Sequence, residues 1–126
     1  MKIISTENAP AAIGAYSQAI SANGFVYTSG QIPIDPASGS ITAETIEAQA
    51  EQAIKNLSAV LDAAGSGLGC VVKTTCFITD MDSFSAFNEV YAKYFTGKPA
   101  RSCVEVSRLP KGALVEIEAV AVLPLE

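Results

Sequence analysis

"RSCVEVSRL" at residues 101–109 and "LVEIEAVAVL" at residues 114–123 flank Pro110-Lys111-Gly112, and their alternation decides how the chain folds. In the first segment Arg101, Cys103 and Glu105 fall on one face and Ser102, Val104 and Val106 on the other, as the period of two in a strand requires. In the second, Val115, Ile117, Ala119, Ala121 and Leu123 share one face, and Leu114, Glu116, Glu118, Val120 and Val122 share the other. Both segments are therefore predicted strands. The second is apolar on both sides, so each side calls for a cover.

Working outward, "CVVKTTCFITD" at residues 70–80 is rich in β-branched residues and reads as a further strand. The next segment, "SFSAFNEVYAKYF" at 83–95, carries Phe84, Phe87, Val90, Tyr91 and Tyr94 at helical spacing, with Asp80 or Asp82 as its cap and Thr96-Gly97-Lys98-Pro99 as its end. Upstream, residues 42–67 predict an amphipathic helix of about five turns. It opens near Thr42 or Ala43, stops at Gly65 and Gly67, and keeps Ile46, Ala50, Ala53, Leu57, Val60 and Ala64 on one stripe. "AYSQAISANGFVYTSGQIPI" at 15–34 holds two short runs around Asn23-Gly24, the dipeptide of a type I′ hairpin turn. The order of hairpin, helix, strand, helix, strand, strand predicts an α+β domain with two helices on one face of a mixed sheet. Val120 and Val122 lie on the face left open, which predicts a homo-oligomer packed through it.

The chain has 126 residues, 49% of them hydrophobic, with no tryptophan. It is expected to form one domain over residues 1–126 around a core of small and branched side chains. A formal net charge of −5 disfavours nucleic acid, whose binding draws on neutralised phosphates. Cys70, Cys76 and Cys103 are odd in number and lack metal-like spacing, so free thiols in a reducing compartment are expected. "MKIISTENAP" has neither the apolar stretch nor the cleavage site of a signal peptide, and no run is long enough for a membrane helix, which makes the cytoplasm the expected location.

The chain contains no histidine. Acid–base chemistry near neutral pH must then come from a carboxylate, cysteine, lysine, tyrosine or bound water. Glu116 and Glu118 project from one face of an otherwise apolar strand, where a carboxylate needs a cation or sits with its pKa displaced. Arg101 is either that cation or a bidentate clamp for a ligand carboxylate. Cys103 invites a nucleophilic reading because Arg101 is near, but no histidine-type base exists to activate it, and buried cysteine usually packs as a small hydrophobe. Cys70 and Cys76 read as core residues. In "TSGQIP", Ser29 and Gly30 offer backbone groups and close approach to a ligand, or else only a turn. Tyr16, beside Gly14, either closes a pocket or packs, and Asn88 either caps or faces solvent. "GSGLG" at 65–69 follows a helix and lacks the Lys-Ser/Thr of a phosphate loop, so it reads as a helix stop.

Taken together, "NAPAAIGAYSQAI", "VYTSGQIPIDPASG", "VKTTCFITDM" and "PARSCVEVSRLPKGALVEIEAVA" closely resemble the RidA/YjgF family of small imine deaminases, over almost the whole chain. The resemblance implies a chorismate-mutase-like α+β fold. It also implies a homotrimer whose sheets form a central barrel, with clefts between subunits. It further implies hydrolysis of 2-iminopropanoate and 2-iminobutanoate, released by pyridoxal-phosphate-dependent dehydratases, to 2-oxo acids and ammonia, without a cofactor or metal. On that likeness Arg101 holds the substrate carboxylate and Glu116 orients the attacking water. Tyr16, Ser29, Gly30, Asn88 and Cys103 match pocket positions, the cysteine through its backbone and shape. The chain departs from the family in the link before "PARS", where Thr96-Gly97-Lys98 replaces a longer loop with an aromatic residue ahead of the proline.

Two other readings compete with the enzyme. One is a non-catalytic regulatory module that binds a small carboxylate in the same cleft; the other is an RNA-cleaving translation inhibitor, which the negative charge and absent histidine disfavour.

Overall fold

A computed structural model describes residues 1–124 of the chain. Its elements are β1 (Lys2–Ile4), β2 (Ala19–Ala22), β3 (Phe25–Thr28), α1 (Ile46–Ala63), β4 (Val71–Ile78), α2 (Phe84–Tyr94), β5 (Ala100–Glu105) and β6 (Val115–Val122). The strands form one sheet in the order β1-β2-β3-β6-β4-β5. Only β4 and β5 run parallel; the other neighbours are antiparallel. The mixed α+β architecture is the expected one.

The two strands that close the chain are consecutive but not adjacent, because β4 lies between them. The helix α2 joins β4 to β5 in a crossover that leaves these neighbours parallel, with β5 on the outer side of β4 and β6 on the inner side. Strand β1, not foreseen from the sequence, is a three-residue edge paired with β2. The Asn23-Gly24 turn is as expected, with φ of 53° and 82°.

Helix α1 starts later than the expected Thr42 or Ala43, because Thr45 is its cap: the Thr45 hydroxyl accepts from the Ala48 amide at 3.1 Å. Gly65, at φ 84°, stops the helix, with its amide donating to the Asp62 carbonyl. Asp80 caps a short 3-10 turn over Met81–Ser83 that leads into α2, which itself begins at Phe84.

Both helices cover one face of the sheet. Ile54, Leu57, Val60 and Leu61 of α1 and Phe87 of α2 are buried against Val26, Cys76, Ile78, Val115, Ile117 and Ala121. Each large side chain so buried contributes about 1.5–3 kcal/mol of hydrophobic free energy. Cys70, expected in the core, is only half-buried at its edge.

The opposite face is uncovered. Strand register sets Tyr27 beside Val120, Phe25 beside Val122, and Val104 beside Phe77, so these residues share that face. Tyr27 is 49% exposed and Val104 43%. Among the described residues no helix is long and apolar enough to cross a membrane.

Candidate functional site

The candidate residues fall into two groups, one on each face of the sheet. On the helix side, Arg101 pairs in register with Thr74 and Cys103 with Cys76, so both project toward α2. Phe84, Asn88 and Tyr91 are spaced four and three residues apart and therefore line the side of α2 that looks down on β5. Arg101 Nη1 donates to Asn88 Oδ1 at 2.6 Å. The guanidinium carbon sits 4.6 Å from the Tyr91 ring centre and 5.3 Å from that of Phe84. Lys55–Glu51 is the one ion pair among the described residues, so no carboxylate there pairs with Arg101. A cleft of about 590 Å³ opens here, lined by Asn88, Tyr91, Phe95, Lys98, Pro99 and Arg101. Lys98, just ahead of Pro99, stands on the cleft wall.

Cys103 is beside Arg101, but burial pushes its thiol up more than the guanidinium pulls it down. Cys76, deeper, is pushed up to about 12. Neither carries thiolate character at neutral pH, which removes the physical basis of the nucleophilic reading.

The second group faces the uncovered side. Beyond β3 the chain continues alongside β6, with Gln31 exchanging amide–carbonyl hydrogen bonds of 2.8 and 3.1 Å with Ile117. This places Gly30 beneath the Glu116 side chain, where a β-carbon would meet Glu116 Cδ at 2.6 Å. The glycine is there for that approach, since its backbone is not in the left-handed region. The Ser29 hydroxyl donates to the Ser17 carbonyl at 2.6 Å, and the Ser29 amide to the Gln18 carbonyl at 2.9 Å, anchoring the segment that carries Tyr16. Tyr16 and Gly30 line one pocket of about 540 Å³. Burial, and secondarily the charge of Glu118, hold the Glu116 carboxyl above the usual carboxylate range.

Arg101 and Glu116 do not meet within one chain. They lie on opposite faces, two strands and three register positions apart, roughly 14 Å along the sheet by standard strand spacings. Arg101 is therefore not the cation that offsets Glu116 in its own chain, one of the two roles its sequence position left open.

The family described as endoribonuclease L-PSP matches residues 6–123. The chain belongs to this family, the RidA/YjgF proteins. A RutC family protein of Synechocystis is 57% identical over 98% of both chains. The 2-iminobutanoate/2-iminopropanoate deaminase of Salmonella typhimurium is 51% identical over 96% of this chain and 97% of its own. Among solved structures, Escherichia coli TdcF with bound serine superposes with a TM-score of 0.92 at 46% identity, covering 97% of this chain and 98% of that one. The Escherichia coli YjgF gene product gives 0.93 at 47% identity, covering 98% and 100%. The RidA/YjgF fold is thus the fold of this chain over nearly its full length.

Sequence reading alone did not single out Tyr91, Phe84 and Thr74 as neighbours of the site. The Phe84-Asn88-Tyr91 spacing was the available signal: a polar residue between two aromatics on one helix face, above a strand that carries an arginine.

Proposed function

We propose that this protein is a cofactor-free imine deaminase that hydrolyses small 2-imino acids, 2-iminopropanoate and 2-iminobutanoate, to 2-oxo acids and ammonia. The observation that carries the reading is the Arg101 guanidinium, half-buried in a cleft, fixed by Asn88 and Tyr91, and without a carboxylate partner among the described residues. A cation held in that way is matched by a planar carboxylate from outside. The names of relatives at about half identity, and the serine bound in TdcF, a small 2-amino carboxylate, support the same substrate class.

In this reading the substrate carboxylate docks on Arg101, and Glu116, with its pKa raised toward neutrality, accepts a proton from the water that attacks C2. The C=N bond becomes a C–N bond in a carbinolamine. Proton return from Glu116 to nitrogen then expels ammonia, and the C2 hydroxyl gives its proton back to the Glu116 carboxylate, and from there to solvent, as it becomes the 2-oxo group. A protonated imine is a strong electrophile, so placement and one modest base account for the acceleration.

Because Arg101 and Glu116 of one chain lie on opposite faces, this chemistry needs Glu116 from a second copy packed against the uncovered sheet. A homotrimer with clefts between subunits satisfies that requirement and covers Phe25, Tyr27 and Val104. The test adds the purified protein to a pyridoxal-phosphate-dependent threonine dehydratase with threonine and follows 2-oxobutanoate and ammonia. Faster release with wild type, lost in Arg101→Ala, is expected; no acceleration by wild type overturns the reading.

A further inference from the structure

A carboxylate partner fixes a guanidinium but occupies its hydrogen-bonding edge and offsets its charge. Arg101 is held differently. Its guanidinium lies over the face of Tyr91, 4.6 Å from the ring centre, and donates once, to Asn88. A ring face restricts the guanidinium without accepting any of its N–H groups, so the charge and the remaining donors stay available.

The ring is itself immobilised from three sides. Tyr91 is 5% exposed, and its hydroxyl shares a 2.8 Å hydrogen bond with Thr74 of β4. Phe95 stacks on it at 4.4 Å between ring centres and 26° between planes, and Phe87 packs at 5.8 Å. Thr74 is also the register partner of Arg101. The strand beside the arginine therefore also carries the hydrogen-bond partner of the Tyr91 hydroxyl.

We propose that Tyr91 is a positioning residue for Arg101: its ring face fixes the guanidinium plane for an incoming carboxylate, and the packing of Phe87 and Phe95 holds the ring. The inference rests on the carboxylate-clamp reading of Arg101 given above. Substrate capture then depends on the aromatic face of residue 91 and not on its hydroxyl.

The experiment compares wild type with Tyr91→Phe, Tyr91→Met and Tyr91→Leu, each alone and combined with Arg101→Lys. Binding of 2-oxobutanoate is read by titration calorimetry and turnover as kcat and KM. Tyr91→Phe is expected to bind within about threefold of wild type, whereas Tyr91→Met or Tyr91→Leu weakens binding about tenfold and acts through KM. In the Arg101→Lys background the same ring removal changes binding by less than about threefold, since the planar group it positions is gone. Equal binding by the ringless variants, or an undiminished loss in the Lys background, overturns the proposal.

A measurement independent of turnover separates this proposal from the functional one. Nitrogen-15 relaxation of the Arg101 Nε–H group in the ligand-free protein is expected to show a rigid group in wild type and Tyr91→Phe and a mobile one in whichever ringless variant folds. A mobile Arg101 in wild type, or a rigid one without the ring, overturns the platform even if the protein proves to be a deaminase. Conversely, a rigid, Tyr91-dependent Arg101 in a protein without deaminase activity leaves the platform standing and the functional reading fallen.

Discussion

Gly30 lies so close beneath Glu116 that a β-carbon on residue 30 would reach 2.6 Å from Glu116 Cδ and 2.8 Å from its Oε2. The atoms in the way belong to the end of a flexible side chain, so Gly30→Ala moves the carboxyl and leaves the backbone in place. The expected result is a kcat lowered by about 10- to 100-fold, the scale of a misplaced catalytic group, with little change in melting temperature. Steady-state kinetics beside a thermal melt checks this, and unchanged kcat would show that the carboxyl position is immaterial.

The raised pKa of Glu116 has a direct pH consequence. As a base it must be ionised, so kcat/KM falls as pH drops through that raised value. Glu118 contributes to the shift by like-charge repulsion, and Glu118→Gln is expected to move the acid limb to lower pH. The effect on stability has the opposite sense. A carboxyl whose pKa is higher folded than unfolded binds its proton more tightly when folded, so it weakens the fold once pH rises through that window. Glu116→Gln is therefore expected to raise the melting temperature at pH 8 and to lose this advantage near pH 4, which melts at the two pH values will decide.

Cys103 is expected to be dispensable for the chemistry. Burial outweighs Arg101 in setting its thiol, so little thiolate exists at neutral pH. Cys103→Ala should keep kcat within about threefold, the size of a packing change in a cleft wall rather than of a lost nucleophile. A loss of several orders of magnitude, or rapid alkylation at pH 7, would restore the covalent reading.

How far the sequence showed these relationships depends on whether they were local. The Asn23-Gly24 turn, the face assignments of β6 and the aromatic stripe of α2 follow from neighbours within a few positions, and the structure has them as read. The placement of β4 between β5 and β6 is a pairing across the chain, and no local period encodes it. For the same reason Arg101 and Glu116 were recognisable as candidates one by one, while their separation onto opposite faces was not. Tyr91 was hidden in another way: a buried aromatic on a helical stripe reads as core, and only the arginine over its face distinguishes it.

Asn56 offers a test of the scaffold alone. It is 1% exposed, and its amide donates to the Ile32 and Ile34 carbonyls at 3.0 and 2.8 Å, tying α1 to the chain that follows Gly30. Asn56→Ala leaves both carbonyls without that donor and is expected to cost about 2 kcal/mol, measured by urea denaturation. A change below about 0.5 kcal/mol would mean that these carbonyls find other partners.

The opposite-face arrangement makes its own prediction about assembly. Arg101→Ala and Glu116→Gln should each be inactive alone. If one chain supplies the arginine and its neighbour the carboxylate, a mixed trimer contains some clefts in which both are intact. Denaturing the two variants together at equal concentration and refolding them should then restore roughly a quarter of wild-type activity, the fraction of clefts in which an intact Arg101 meets an intact Glu116 under random assembly into a closed ring. A site confined to one chain would give no recovery at any mixing ratio. Including Tyr27→Asp in both variants provides the control: a charge in the middle of the uncovered apolar face should block association, seen as a monomer by sedimentation, and abolish the recovery.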